Sequence, residues 1–124
     1  MLIRFIFIFF TFLYAKNEDW FITNYEYGKM LYNNPRGISC AKCHGKKGEG
    51  KIITSFINSQ DEKIVIKTYP FKNLIFKKLK SALYKEKTFL KKKPKFFNIM
   101  PKYDYLTDNE IKAILLYLRG KNDF

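Results

Sequence analysis

Two cysteines and a histidine lie within five consecutive residues of this chain, as Cys40, Cys43 and His44. They are the only cysteines and the only histidine in the sequence. Two thiols at this spacing can add across the two vinyl groups of a haem, and a histidine directly after the second thiol can bind the iron from the same side. The C-x-x-C-H pentapeptide therefore predicts one covalently attached haem, with His44 as the proximal iron ligand.

Three other interpretations of the pentapeptide are weaker. A structural zinc site needs four ligands, usually as two separated pairs, and the sequence has no second cysteine or histidine pair. A thioredoxin-like redox pair is expected at a strand-to-helix junction within a βαβ pattern, which is not evident around these residues. The third alternative is a pair of buried cysteines beside an unrelated histidine. The specificity of the C-x-x-C-H signature favours haem.

The first 15 residues have the composition of an export signal. Arg4 is followed by an apolar run that ends at Ala15, and this run is shorter than the roughly 20 residues that a membrane-spanning helix needs. We expect residues 1–15 to be a signal peptide that is cleaved after Ala15, with retention as an uncleaved anchor as the alternative. Residues 16–124 are enough for one small domain, which we expect outside the cytoplasm.

The chain is strongly basic, and its charge is unevenly distributed. The formal net charge is +13, and residues 63–102 contain 13 lysines and a single acid, Glu86. A basic surface raises encounter rates with an acidic protein partner or an anionic membrane face. The alternative is codon bias, because Lys, Ile, Asn, Phe and Tyr are abundant and all have AT-rich codons. Nucleic acid is not an expected partner, since no recognition motif is present.

Helices are predicted at both ends of the mature chain. Residues 17–19 offer capping oxygens and acids for a first helix that runs to about Asn33. The final helix is the clearest in the sequence. A capping box at residues 107–110 precedes an apolar stripe at i, i+3, i+4 and i+7, and Gly120 lies where the helix should end.

The middle of the chain is harder to assign. Residues 52–67 contain two β-branched runs around a turn-like stretch, so a short hairpin is one interpretation, although we favour an irregular segment. Pro70 then starts or shortly precedes a helix whose apolar residues keep helical spacing over residues 71–83. Residues 85–95 are rich in lysine and are expected to form a solvated connection.

Haem iron bound by His44 has a second axial position, and the chain offers few ligands for it. Met1 leaves with the leader, and Met30 falls inside the first helix. Met100 remains, directly before Pro101, and the 56 positions that separate it from His44 leave enough chain to wrap around a haem. A methionine thioether suits low-spin haem iron and favours its reduced state. The alternative is that Met100 is an ordinary core methionine.

Together these features resemble the small class I c-type cytochromes of bacterial periplasms. The resemblance covers most of the mature chain. It rests on the pentapeptide with its trailing glycines, a methionine and proline in a loop, a final helix that begins Leu-Thr-Asp, and Gly28 one turn before Tyr32. It implies an all-α, class I cytochrome c fold with the haem in the core, apart from the segment near 52–67. It also implies terminal helices that cross where Gly28 and Tyr32 meet Ile114 and Tyr117.

The same resemblance implies a complete set of haem contacts. These are thioethers at Cys40 and Cys43, proximal His44 and distal Met100. Many members of the family carry a proline soon after the glycine-rich loop, and its carbonyl accepts a hydrogen bond from the proximal histidine. This chain has no proline from residue 50 to residue 69, so a different carbonyl is expected to orient the imidazole.

If protein ligands fill both axial positions, the iron has no open site for a substrate. The resemblance then implies a monomeric periplasmic carrier, not an enzyme, that passes single electrons by outer-sphere transfer through an exposed haem edge. The expected partners are a cytochrome bc complex and a terminal oxidase or peroxidase. Two alternatives are a haem-based ligand binder or sensor with an open or labile sixth position, and a membrane-anchored accessory subunit of an oxidase or dehydrogenase.

Overall fold

The computed structural model describes residues 21–86 and 99–120. The predicted leader at residues 1–15, the acids of residues 17–19 and most of the predicted lysine-rich connection lie outside the described residues. No helix in the two described ranges has the length and apolarity needed to span a bilayer. These ranges contain four helices and one two-stranded sheet, which follow one another as α1 Asn24–Asn33, α2 Cys40–His44, β1 Ile52–Ile57, β2 Lys63–Lys67, α3 Phe76–Tyr84 and α4 Asp108–Arg119.

Helix α1 begins later than the acids of residues 17–19 predict. The chain just before Asn24 is not helical, and the Thr23 hydroxyl caps the helix by accepting a hydrogen bond from the backbone N–H of Glu26 at 3.2 Å. The Glu26 carboxylate accepts in turn from the backbone N–H of Thr23 at 2.9 Å, which completes a capping box. The predicted end of the helix at Asn33 is confirmed.

Helices α1 and α4 cross at Gly28, as predicted. A Cβ atom on Gly28 would collide with the backbone carbonyl of Ala113, so only glycine lets the two backbones approach this closely. One turn further along α1, the ring of Tyr32 packs against that of Tyr117, with 5.5 Å between the ring centroids. Tyr25 makes an edge-to-face contact with the same ring at 5.4 Å. The crossing fixes the two terminal helices relative to each other.

Helix α4 has the start and the end that its sequence predicts. Thr107 accepts from the backbone N–H of Glu110 at 3.3 Å, and the Glu110 carboxylate accepts from the N–H of Thr107 at 2.8 Å. Gly120 closes the helix in a left-handed conformation, with φ 67°. In the described ranges, the buried core comes from α1, α3, α4 and the segment before α4, and it contains Leu31, Tyr32, Leu79, Leu83, Tyr103, Leu106, Ile111, Ile114, Leu115 and Tyr117.

The segment at residues 52–67 is a β-hairpin, so the fold is mainly helical rather than all-α. Strands β1 and β2 pair antiparallel. The Asn58 side chain builds the turn between them, because its Oδ1 accepts from the backbone N–H groups of Gln60 and Glu62, each at 2.9 Å. The irregular segment that we favour from the sequence is therefore wrong, and the hairpin alternative is confirmed.

Helix α3 starts six positions after Pro70 instead of next to it. Asn73 has a left-handed backbone with φ 48°, and Ile75 is extended, so the helix cannot include them. Phe71 and Leu74 still pack against the core, but they do so from the loop before the helix. The apolar spacing of residues 71–83 therefore overestimates the length of α3.

Candidate functional site

Helix α2 carries all three residues of the predicted attachment site. Cys40 and Cys43 are three positions apart in the helix, which places their side chains on the same face. His44 is the last helical residue, and Gly45 ends the helix with φ 84°. One short helix thus presents two thiols and an imidazole together, as attachment to a single flat ring requires.

The two thiols are suited to attachment rather than to redox exchange. Both cysteines are free and half-buried, and burial raises the pKa of the Cys40 thiol to about 11. Reactive cysteines in thioredoxin-like pairs have a lowered pKa instead. The two strands in the described part of the chain both follow α2 and form a hairpin, not a βαβ unit. These observations weigh against a redox pair.

The environment of His44 keeps its imidazole neutral. Burial lowers the pKa of His44 below its ordinary value of 6.5, so a nitrogen lone pair is available to iron at neutral pH. Its Nδ1 atom is buried and has no hydrogen-bond partner among the described residues, so the carbonyl that is expected to orient the imidazole is not found there. The Phe71 ring packs against the imidazole with 4.9 Å between the ring centroids. A neutral imidazole with a fixed ring plane is what proximal ligation needs.

Hydrogen bonds tie the loop after α2 back to the helix. The backbone N–H of Gly50 donates to the carbonyl of His44 at 2.9 Å. The hydroxyl of Thr68, at the far end of the hairpin, donates to the carbonyl of Cys43 at 2.6 Å. Both ends of the hairpin are therefore fixed to the last residues of the pentapeptide.

The hairpin brings a proline next to the glycine-rich loop. Because β1 and β2 return the chain to its starting point, Pro70 lies against Gly50, although 20 positions separate them. The backbone N–H of the next residue, Phe71, donates to the carbonyl of Gly48 at 2.9 Å. A proline therefore lies next to the glycine-rich loop in space, although the hairpin separates the two in the sequence. Its carbonyl does not accept a hydrogen bond from His44 Nδ1.

Two tyrosine hydroxyls hold the chain that enters α2. Tyr103 donates to the carbonyl of Ile38, and Tyr105 donates to the carbonyl of Pro35, each at 2.7 Å. Burial raises the pKa of Tyr103 to about 12, so its hydroxyl remains a donor at neutral pH. The segment before α4 thereby positions the approach to the first cysteine.

Two further tyrosines hold the chain that leaves α2. Tyr32 of α1 donates to the carbonyl of Gly45, and Tyr117 of α4 donates to the carbonyl of Lys46, each at 2.7 Å. Burial raises the pKa of both hydroxyls, which therefore remain donors. The sequence predicts the crossing role of these two rings but not their hydrogen bonds, because the acceptors are backbone carbonyls without a sequence signature.

Met100 lies in the short segment that precedes α4. Its side chain is half-buried and packs against the same core that Cys40 contacts. Three residues later, the backbone N–H of Tyr103 donates to the carbonyl of Leu83 at 2.9 Å, and the hydroxyl of Tyr103 holds the chain that enters α2. The fold therefore brings Met100 and the pentapeptide to one core, and a bond from Met100 to iron remains a prediction.

An ion pair with one nearly buried partner, Glu110, links α4 to the segment before α2. The Glu110 carboxylate accepts two hydrogen bonds from the guanidinium of Arg36, at 2.8 and 3.1 Å, and a third from the hydroxyl of Tyr27 at 3.1 Å. The Arg36 hydrogen bonds are the main reason that the pKa of Glu110 falls to about 2. The capping glutamate of α4 thus has a second role that the capping signature does not reveal.

Most of the lysines that the structure describes in the basic central segment, residues 63–102, are exposed at the surface. Lys80 pairs with Asp108, and Lys102 pairs with Asp104, each at 2.7 Å. Partly exposed pairs of this kind contribute little to stability. In residues 63–86 the exposed lysines are Lys63, Lys67, Lys72, Lys77 and Lys78.

The donor set of the site fits a haem better than an ion bound by side chains alone. Within residues 21–86 and 99–120, no three His, Cys, Asp or Glu side chains are grouped as metal ligands, which weighs against the zinc alternative. The residues present are two thiols, a neutral imidazole and a methionine. These are the types of side chain that attach and ligate a covalently bound haem.

Comparison with known protein families gives one match. The model of the family described as cytochrome c matches residues 25–121, more than three quarters of the chain. The matched region begins in α1, includes the pentapeptide, the hairpin and Met100, and ends after α4. Neither the curated proteins nor the solved structures include a significant match.

Proposed function

Because the chain belongs to the cytochrome c family, whose members carry covalently attached haem c, we propose that it is a monohaem electron carrier. When bound, the haem supplies the one-electron chemistry. The observation that carries the proposal is the arrangement of α2, which holds Cys40, Cys43 and His44 on one short helix. Four tyrosine hydroxyls fix the chain on both sides of that helix.

Each residue of the site has a separate task in this proposal. Cys40 and Cys43 form thioethers that keep the haem from dissociating. His44 and Met100 would be the two protein ligands of the iron, and the Met100 thioether would favour the reduced state. If these two side chains ligate the iron, no position would be left for a substrate. The protein is therefore a carrier that transfers electrons through the haem edge, not an enzyme.

The carrier is proposed to act in the periplasm as a single domain of residues 16–124. The basic and apolar leader at residues 1–15 supports export. A cytochrome bc complex is the proposed donor, and a terminal oxidase or peroxidase is the proposed acceptor. The lysine excess at residues 63–102 supports partners with acidic surfaces, because complementary charge raises the rate of encounter.

Replacement of the distal ligand tests the proposed site. The exported wild-type holoprotein should give a low-spin EPR signal, and its reduced form should not bind carbon monoxide promptly. Met100→Ala removes the thioether, so this variant should become high-spin and should bind carbon monoxide promptly. Optical and EPR spectra of the two proteins measure both properties.

Met30→Ala is the matched control, because Met30 is the other methionine of the mature chain and is 57% exposed on α1. This variant should keep the wild-type spectra. Prompt carbon monoxide binding by the wild type would reject the closed site and favour the ligand binder or sensor. Unchanged spectra in Met100→Ala would remove Met100 from the ligand set while leaving haem attachment intact.

A further inference from the structure

The two faces of the hairpin differ in exposure on β2 but not on β1, where all six residues are exposed. Residues that are directly opposite each other in an antiparallel pair point to the same side, and neighbours along a strand point to opposite sides. Phe56 and Ile64 are opposite each other on one side, where Ile64 and Ile66 are half-buried. The other side, called the outer face below, consists of Ile52, Ser55, Ile57, Lys63, Val65 and Lys67.

The outer face is exposed, although half of its residues are large and apolar. Ile57 is 69% exposed, Ile52 is 64% exposed and Val65 is 43% exposed. Tyr69, which follows β2, is 68% exposed. Single exposed apolar residues are ordinary on a protein surface, but a cluster of them marks contact with another molecule or with a membrane. The outer face is therefore a candidate contact surface.

All charges on the outer face are positive. Lys63 is directly opposite Ile57, and Lys67 is directly opposite Ile52, so each cation lies beside an apolar side chain. The two lysines are about 13 Å apart along the strand. The acids of the hairpin, at residues 61–62, lie in the turn beyond the paired strands. The face thus combines aliphatic side chains with cations at both of its ends.

We propose that the outer face binds the surface of an anionic phospholipid bilayer. The aliphatic side chains enter the boundary between headgroups and acyl chains, and the apolar stems of the two lysines lie among them while their ammonium groups reach lipid phosphates. Tyr69 adds an aromatic ring of the kind that is enriched at membrane interfaces. A water-excluding protein interface fits less well, because lysine is depleted from the core of such interfaces.

This binding goes beyond electron transfer and does not depend on the proposed iron ligands, since none of the proposed haem-binding residues lies on the outer face. It would keep the carrier at the membrane surface, where membrane-embedded redox partners lie, and would restrict its diffusion to two dimensions.

Co-sedimentation of the exported holoprotein with lipid vesicles tests the proposal. The wild type should bind vesicles that contain phosphatidylglycerol and should bind pure phosphatidylcholine vesicles weakly. Replacing Ile57 and Val65 by threonine keeps β-branched residues in the strands, and I57T/V65T should bind anionic vesicles about tenfold more weakly. Replacing Lys63 and Lys67 by glutamine should weaken binding about 25-fold, because each lysine near an anionic surface contributes about fivefold.

Two controls distinguish binding by the outer face from binding by net charge or by exposed apolar residues elsewhere on the protein. Lys77 and Lys78 are exposed on α3, and K77Q/K78Q removes the same charge outside the hairpin, so it should weaken binding less than about threefold. Ile75 is 53% exposed and also lies outside the hairpin, so Ile75→Thr should bind as the wild type does. All proteins are compared in the same processed form, so that a retained leader contributes equally, and each must keep the wild-type haem spectrum.

If I57T/V65T bound vesicles as tightly as the wild type does, the proposal would be overturned. The outer face would then be a candidate contact surface for a protein partner instead. Equal losses in K63Q/K67Q and K77Q/K78Q would also overturn it, because binding would then follow net charge alone. Losses confined to the two hairpin variants, with unchanged unfolding midpoints, would support it.

Discussion

Glu110 joins three parts of the molecule through one carboxylate. It closes the capping box with Thr107, pairs with Arg36 before α2 and accepts the hydroxyl of Tyr27 from α1. The Glu110 side chain is only 11% exposed. Hydrogen bonds to an ionised group contribute more than neutral ones, and removing one charge leaves the partner charge uncompensated. This residue should therefore matter for stability although it lies outside the pentapeptide.

Glu110→Gln should destabilise the holoprotein by about 2 kcal/mol at neutral pH, because glutamine keeps the size of the side chain and loses its charge. The Arg36 side chain is 53% exposed, which limits the loss through solvent screening. Chemical denaturation measures the free energy of unfolding. As a control, Asp104→Asn removes the exposed partner of Lys102 and should change stability by less than about 0.5 kcal/mol.

The pH dependence of the same variant gives an independent check. Because the pKa of Glu110 is lowered from 4.5 to about 2, the stability that its charge contributes is fully present above pH 4.5 and is lost as the pH falls toward 2. The difference in unfolding free energy between the wild type and Glu110→Gln should therefore shrink below pH 4.5. A difference that stays constant on acidification would mean that folding does not lower the pKa of Glu110.

The sequence predicts the residues of the site better than the contacts that hold them. Cys40, Cys43 and His44 form a local signature, because thioether spacing and the adjacent ligand are set by neighbouring positions. The hydrogen bonds of Tyr103 and Tyr105 instead cross 65 and 70 positions and end on backbone carbonyls. Every residue has such a carbonyl, so no residue type marks the acceptor, and only the fold brings donor and acceptor together.

Among the elements, the crossing of α1 and α4 depends most directly on one residue. Gly28→Ala should destabilise the holoprotein by about 2 kcal/mol or more, because the new methyl group would push against the carbonyl of Ala113. Helix propensity acts in the opposite direction, since alanine is favoured over glycine by about 1 kcal/mol inside a helix. Chemical denaturation of the two proteins gives the net effect.

Lys29→Ala, at the exposed neighbouring position of α1, is the control and should stay within about 0.5 kcal/mol of the wild type. If Gly28→Ala were more stable than the wild type, helix propensity alone would explain the result. The close approach of the two backbones would then not limit the residue at this position.

The sequence predicts the ends of a helix correctly where local capping signals mark them. Residues 107–110 cap α4 as predicted, and Gly120 ends it. Helix α1 has an equivalent signal, Thr23 with Glu26 three positions later, but the acids of residues 17–19 compete with it in the sequence. A Thr-x-x-Glu capping box is the more specific signal, because it satisfies donors at both of its residues.

Apolar periodicity is less reliable where tertiary packing overrides it. Phe71 and Leu74 are spaced as in a helix but are buried from a loop, because Asn73 turns the chain between them. The hairpin is not predicted with preference from the sequence, because β1 lacks a periodic pattern. All six residues of β1 are exposed, so the strand lacks the alternation of apolar and polar residues that marks a half-buried strand.

At the scale of the whole molecule, the packed core and the haem site are built from different elements. In the described ranges, no residue of α2, β1 or β2 is fully buried, and the core comes from the other three helices and the segment before α4. Helix α2 is instead held by tyrosine hydroxyls and, in the proposed site, by thioether and iron bonds. A single domain of the proposed size, residues 16–124, would bury only a modest core and would have a small margin of stability.

We therefore predict that the chain without haem is largely unfolded, because the free energy of binding the cofactor is part of the free energy of folding. C40S/C43S, exported and purified free of haem, should show a weak helical signal by circular dichroism and no cooperative thermal transition. Met100→Ala is the control, since it keeps both thioethers and should melt cooperatively at a lower temperature than the wild type. Cooperative, native-like melting of the haem-free variant would mean that the α1–α4 crossing and the tyrosine hydrogen bonds can fold the chain without the haem.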